Sequence, residues 1–316
     1  MDAALFTADL LAKPQALTDL AAHLRSGNPW NGALPDTINR VIFVGMGSSH
    51  YAASVAAARI RAGGGIAVAE LASSDLLPAS RPHDVVIAVS AGGGSVETHS
   101  AVEHYRGKAP IVLLTNKPES DLAQSVDSVI DVRAGVEAGG VACRSFQHTL
   151  VLLMALEQHL LGGGRDLANL VTATATATSE LIDSRDTWLP QIGGLLRGPQ
   201  GTHIVAPARR FASAQQSALM LREGPRVPAV GCETGDWSHV DVYLTKSTDY
   251  RMLLLAGSRW EPELLRWCSE RGSTVVAIGA DVPGAASTLR YSGDGDDDVR
   301  LLTETLVAEL VAAIWW

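Results

Sequence analysis

The stretch Val85–Thr98, VVIAVSAGGGSVET, decides how the rest of the chain is read. It opens with apolar residues rich in β-branched side chains, the pattern of a strand buried on both faces. Ser90, Ala91, three glycines and Ser95 follow, then an acid at Glu97 and a run of helix formers. Strand, Gly/Ser loop and helix in this order place backbone N–H groups at a helix N-terminus, where the dipole amounts to about half a positive charge. Glycine lets the backbone approach an anion closely, and serine adds hydroxyl donors. No Lys or Arg lies between Val85 and Thr98, so the cradle is neutral. It suits one phosphate on a small molecule better than a polyphosphate with magnesium. The plainer alternative is a tight βα turn that uses glycine for geometry only.

Upstream, Arg40–Val44 reads as the first strand and enters Gly45-Met46-Gly47-Ser48-Ser49-His50, a second Gly/Ser loop. A helix is expected from Tyr51 to Ala62, and strands at Ile66–Glu70, Ile111–Thr115 and Ser128–Val132. A long helix, Ala142–Leu161, closes this unit. Asp166–Trp188 is expected to form one further helix, and the β/α alternation then restarts. Strands are expected at His203–Ala206, Val227–Cys232, Val242–Leu244, Arg251–Ala256 and Thr274–Ile278. Helices are expected at Phe211–Glu223, Glu261–Arg271 and Val299–Ala313. Strands alternating with helices predict an α/β fold of doubly wound parallel sheets, with ligands beyond the strand C-termini. The expected division is a helical segment at 1–38, a first domain at 39–164 and a second at 165–316.

A chain of 316 residues, 47% hydrophobic and 19% charged, supports two domains with a substantial core. The net charge of −9 argues against a nucleic-acid partner, which needs a positive field. Cys143, Cys232 and Cys268 are widely spaced and form no CxxC, so neither a disulfide framework nor a zinc site is expected. The N-terminal residues lack the basic region of a signal peptide, and no apolar run reaches the roughly 20 residues needed to span a bilayer. The expectation is a cytoplasmic protein without membrane partner, metal or organic cofactor.

Gly45 and Gly47 fit the start of a dinucleotide fingerprint, but His50 stands where its third glycine belongs, which disfavours a nucleotide-dependent oxidoreductase. Together the two loops resemble the sugar isomerase (SIS) domain family. Gly45–Ser49 resembles its first-strand turn. Ser90–Thr98 resembles its S-x-S-G-x-[ST]-x-E loop, with Gly92 where a serine is usual. More specifically, the chain resembles the two-SIS isomerase half of glucosamine-6-phosphate synthases and their deglycase relatives. Ala134–Glu137 with Gly140–Cys143 is similar to that group's AGPE-IGVAS segment, Ala218–Glu223 to ALKLKE, and Gly235–His239 to GELKH.

The resemblance implies two tandem flavodoxin-like units, a homodimer with a shared active site, and a phosphorylated sugar or aminosugar as ligand. Gly47, Ser48, Ser49, Ser90, Gly92, Gly93 and Ser95 would hold the phosphate. Glu223 would move a proton between C1 and C2, and His239, often from the partner subunit, would help open the ring. Glu137 and Ala142 are candidates for substrate contact, with helix capping the alternative for Glu137. These residue types suit the chemistry. A carboxylate within reach of both carbons performs both proton transfers, and histidine supplies donor and acceptor near neutral pH.

Two features depart from the synthases. No glutaminase domain is expected within these 316 residues, and the lysines are Lys13, Lys108, Lys117 and Lys246, none near the final VAAIWW. Imine chemistry through a C-terminal lysine is therefore not expected. The reading is an isomerase, deaminase or deglycase acting on a ketose or aminosugar 6-phosphate. The alternative is a sensor that binds phosphosugar without chemistry.

Overall fold

In a computed structural model, residues 1–316 are all described. The chain begins with helices α1 (Ala3–Leu11) and α2 (Lys13–Arg25), then strand β1 (Arg40–Gly45), α3 (Gly47–Ala62), β2 (Ala67–Leu71) and β3 (Asp84–Val89). It continues through α4 (Val96–Tyr105), β4 (Ile111–Thr115), β5 (Ser128–Asp131), α5 (Arg144–Leu161), α6 (Leu167–Asp183) and α7 (Arg185–Leu196). Next come β6 (Thr202–Ala206), α8 (Phe211–Glu223), β7 (Ala229–Glu233), α9 (Thr234–Trp237) and β8 (Arg251–Leu255). The last elements are α10 (Glu261–Glu270), β9 (Thr274–Ile278), β10 (Ser287–Leu289), α11 (Asp297–Thr303) and α12 (Thr305–Trp315).

Two compact units emerge. One comprises Ala16–Glu137 and Ala142–Val171, the other Met1–Gln15, Ala138–Val141 and Thr172–Trp316. The opening residues thus divide, α1 grouping with the later strands and most of α2 with the earlier ones.

The first unit holds a five-stranded sheet in the order β2-β1-β3-β4-β5, every pair parallel. This is the doubly wound 2-1-3-4-5 order, whose switch point lies between the first and third strands. β3 is buried along its whole length, as its unbroken apolar run requires. Ile42, Val44, Val86, Ala88 and Leu113 pack on Ala101, Val102 and Tyr105 of α4. The second unit repeats the order as β10-β9-β8-β6-β7, again parallel. Val205, Leu254, Val275 and Ala277 form its core with Leu264 and Cys268 of α10.

Several boundaries differ from expectation. Val242–Leu244 is not a strand but part of a 3-10 helix, Asp241–Lys246. Val242 and Thr245 point inward and Tyr243 and Leu244 outward, a three-residue period that only a helical turn satisfies. The helix expected at Asp166–Trp188 breaks at Ser184, and α7 runs on through Pro190 to Leu196. Gly193 inside α7 admits the Ile314 side chain, since a Cβ there would lie 2.8 Å from Ile314 Cδ1. The final helix is split at Glu304. No helix is long and apolar enough to cross a membrane.

Candidate functional site

The two Gly/Ser loops leave the first sheet side by side. Gly45, the last residue of β1, pairs with Val89, the last residue of β3. A Cβ on Gly45 would lie 3.1 Å from both Val89 O and Ser49 Cβ, so glycine allows this close packing. α3 starts at Gly47, four residues before the expected Tyr51. Gly47, Ser48 and Ser49 therefore form its first turn, with Gly47 left-handed at φ +49°. Met46, the N-cap, makes no side-chain capping bond.

In the second loop Ser90 is buried, and its carbonyl accepts Gly93 N–H at 3.1 Å, closing a turn. Gly93 has φ +62°, and a Cβ there would lie 2.6 Å from Ser120 Cβ, so only glycine fits. Gly92 is exposed, with nothing within 4 Å of a Cβ placed on it. Ser95 is the N-cap of α4. Its Oγ accepts Thr98 N–H at 3.2 Å and donates to Glu97 Oε2 at 2.8 Å. The backbone N–H of Glu97 itself and then the Ser95 hydroxyl hold the Glu97 carboxyl below the usual carboxylate range. Gly47, Ser48, Ser49, Ser90, Gly92, Gly93 and Ser95 thus gather at one mouth. The Ser120 hydroxyl, buried beneath Gly93 without a hydrogen-bond partner, joins them. Sequence reasoning passed it over, because a serine in a turn after β4 carries no signal of its own.

Glu137 caps α5. Its Oε1 accepts N–H from Cys143, Arg144 and Ser145 at 2.7, 2.6 and 3.0 Å, and its Oε2 accepts the Ser145 hydroxyl at 2.6 Å. Of its two expected roles, capping is the one these bonds describe. Ala142 lies half-buried in the turn just before this helix.

Glu223 and His239 belong to the second unit, and one chain does not bring them together. α8 returns from the C-terminal end of β6 to the start of β7, so Glu223 lies by the N-terminal end of that sheet. His239 follows α9, beyond the C-terminal end of β7, about 16 Å of strand away. Glu223 is half-buried and precedes Gly224, where a Cβ would lie 2.8 Å from the Trp316 ring. His239 is exposed on a well-anchored loop. Trp237 Nε1 donates to Tyr250 Oη at 2.8 Å, and Tyr250 donates to Asp241 Oδ2 at 3.3 Å. The His203 ring stacks on Tyr250 at 4.1 Å and meets the same Asp241 oxygen at 3.3 Å.

The corresponding mouth of the second sheet is closed by its own carboxylates. Glu233 accepts N–H from Ala208, Gly235 and Asp236, and Glu261 accepts those of Gly257 and Ser258 at 2.5 and 2.6 Å. Arg210, buried, bonds Glu304, Asp297 and the Ala256 carbonyl. Amides that an anion would need are already taken there. Cys232 and Cys268 are pushed up to about 12, chiefly by burial, so both thiols stay protonated and unreactive.

Fold and loop geometry define a class: a doubly wound α/β protein with two uncharged Gly/Ser loops at the switch point of its first sheet. Residues 37–157, which contain both loops, match the SIS domain family model. A glutamine–fructose-6-phosphate aminotransferase (isomerizing) of Aeropyrum pernix is 25% identical over 278 residues, 82% of this chain and 45% of that protein. The chain thus spans about half the length of such curated relatives. The C-terminal domain of glucosamine-fructose-6-phosphate aminotransferase from Francisella tularensis shares the fold at TM-score 0.81 and 16% identity, over 98% of this chain and 95% of that one. Tagatose-6-phosphate ketose/aldose isomerase of Escherichia coli does so at 0.81 and 16%, over 99% and 94%.

Proposed function

We propose that this chain binds a sugar or aminosugar 6-phosphate through the first-sheet loops and acts on its carbonyl carbons as an isomerase, deaminase or deglycase. The observation that carries the reading is the pair of Gly/Ser loops at the β1/β3 switch point, where the α3 N-cap makes no side-chain bond, unlike the carboxylate-capped loops of the second sheet. The names of the similar proteins support a phosphorylated hexose as ligand.

Ser49, Ser90 and the amides of Gly47, Ser48 and Gly92 hold the phosphate, Ser95 joins them by exchanging its bond to Glu97 for one to the anion, and Gly93 shapes the loop through its own bond to Ser90 O. Charge-assisted bonds from neutral donors at helix N-termini suffice for one dianion. Glu223 acts as the base that removes the proton beside the carbonyl and returns it one carbon along, and His239 assists ring opening. His239 reaches the sugar from a second copy of the chain. Its separation from Glu223, and the exposed Val240, Tyr243 and Leu244 beside it, support that homodimeric arrangement.

Incubation with hexose, hexosamine and fructosamine 6-phosphates tests the reading. Turnover of at least one, abolished in Glu223→Gln, is the expected result. No turnover of any by the native protein would count against it. A non-catalytic sensor is the second reading, favoured by Gly92 in place of a serine donor. It is distinguished by ligand-induced thermal stabilisation that survives Glu223→Gln with no product formed.

A further inference from the structure

The opposite end of the first sheet, at the strand N-termini, holds a separate hollow. Its volume is about 730 Å³, and it lies between the approach to β1, the residues before β3, the end of α4 and the turn into β4. A buried polar network fixes its walls. Asp84, 2% exposed, accepts Arg40 Nε and Nη2 at 3.0 and 2.5 Å and Arg81 N–H at 2.7 Å. Arg40 also donates to Ala79 O at 2.7 Å, Tyr105 Oη to Pro78 O at 2.8 Å, and Ser80 Oγ to Lys108 O at 2.9 Å. His83 is held left-handed at φ +64°, its carbonyl accepting Asn39 N–H at 2.8 Å. Such a conformation is uncommon for a non-glycine residue and marks a segment fixed by its surroundings.

The lining has two characters. Asp84, its one carboxylate, is neutralised by Arg40, which leaves two cations, Arg81 and Lys108, on the rim beside the polar rings of His83 and His104. The Lys108 ammonium donates to His104 O and retains two further protons. In a chain of net charge −9 this is a local positive focus. Pro35, Pro82, Pro110 and Ala109 supply rigid apolar surface between the cations. The volume exceeds what a bare phosphate needs and falls in the range of small-molecule pockets.

We propose that this hollow is a second ligand site, distinct from the Gly/Ser loops, for a nucleoside phosphate. The cationic rim takes the phosphates, and the proline surfaces take the flat base. Calorimetric titration with ADP, with inorganic pyrophosphate and adenosine as part-ligands, tests it on three proteins. These are the native chain, Arg81→Ser/Lys108→Ser and Ser90→Ala/Ser95→Ala. ADP is expected to bind the native chain and the Ser90/Ser95 variant alike, and more tightly than either part-ligand. The Arg81/Lys108 variant is expected to bind about tenfold more weakly or worse. His83→Asn, which keeps the left-handed backbone, gives an independent check and is expected to weaken ADP too. Absence of saturable ADP binding overturns the proposal. So does pyrophosphate binding as tightly as ADP, or loss of ADP binding only in the Ser90/Ser95 variant.

Discussion

At the residue scale, Gly92 and Gly93 are neighbours with opposite constraints. Open space surrounds Gly92, so Gly92→Ser adds a hydroxyl where the SIS-like loop usually carries one, without strain. It is expected to tighten binding of fructose 6-phosphate by about fivefold, the worth of one added hydrogen bond, measured by calorimetry. Gly93→Ala meets both a left-handed backbone and Ser120, and is expected to destabilise the fold by about 1–3 kcal/mol in denaturant melts. A gain in stability there would contradict the packing described. Asp84 behaves differently. Burial alone would raise its carboxyl, but hydrogen bonds from Arg40 and the Arg81 N–H outweigh that and hold it below the usual range. A lowered folded pKa adds stability that is complete above about pH 4 and is lost as pH falls through the folded value. Asp84→Asn is therefore expected to cost about 3 kcal/mol at pH 7, with the deficit vanishing in strong acid. A deficit that stayed constant with pH would exclude this origin.

At the element scale, Lys13 of α2 and Glu309 of α12 form a fully buried ion pair. Lys13→Met removes the cation from beside a buried carboxylate and is expected to cost about 3–5 kcal/mol. Lys13→Met/Glu309→Leu is expected to recover most of that, and thermal unfolding of the three proteins measures it. Elements of this kind were unevenly legible in the sequence. The strands whose apolar runs are unbroken, Arg40–Gly45, Asp84–Val89, Ile111–Thr115 and Thr274–Ile278, were readable within a residue, because burial on both faces leaves no other pattern. Val242–Leu244 misled, since three apolar residues fit a strand or one helical turn equally well. Ser287–Leu289 was missed because an edge strand of three residues has no period to detect. α7 continues past its proline and glycines because Ile314 packs on Gly193, a tertiary cause that local propensity does not contain.

The candidate site was legible in the same uneven way. Ser90–Ser95 announced itself through strand, glycines and helix, all local features. Glu137 left capping and contact open, and only its bonds to Cys143, Arg144 and Ser145 separate them. Ser120 had no local signature, because its place beneath Gly93 depends on how β4 is set beside β3.

At the scale of the whole molecule, one chain holds Glu223 and His239 at opposite ends of a sheet, so the proposed chemistry needs two copies. Mixing Glu223→Gln with His239→Ala creates one complete pair per mixed dimer. If subunits exchange freely, activity is expected to return to about a quarter of the native value, since about half the dimers are mixed and each has one complete site. No recovery despite proven exchange would place both residues outside a shared site.

The most direct measurement is a calorimetric titration of fructose 6-phosphate into the native chain and into Ser90→Ala/Ser95→Ala, with fructose as control. Saturable binding to the native chain, no binding of fructose, and affinity lowered at least about thirtyfold in the variant are predicted, two lost charge-assisted bonds accounting for the difference. Equal affinity in both proteins, or binding of fructose as tight as that of its phosphate, would contradict a phosphate cradle at the mouth of the first sheet.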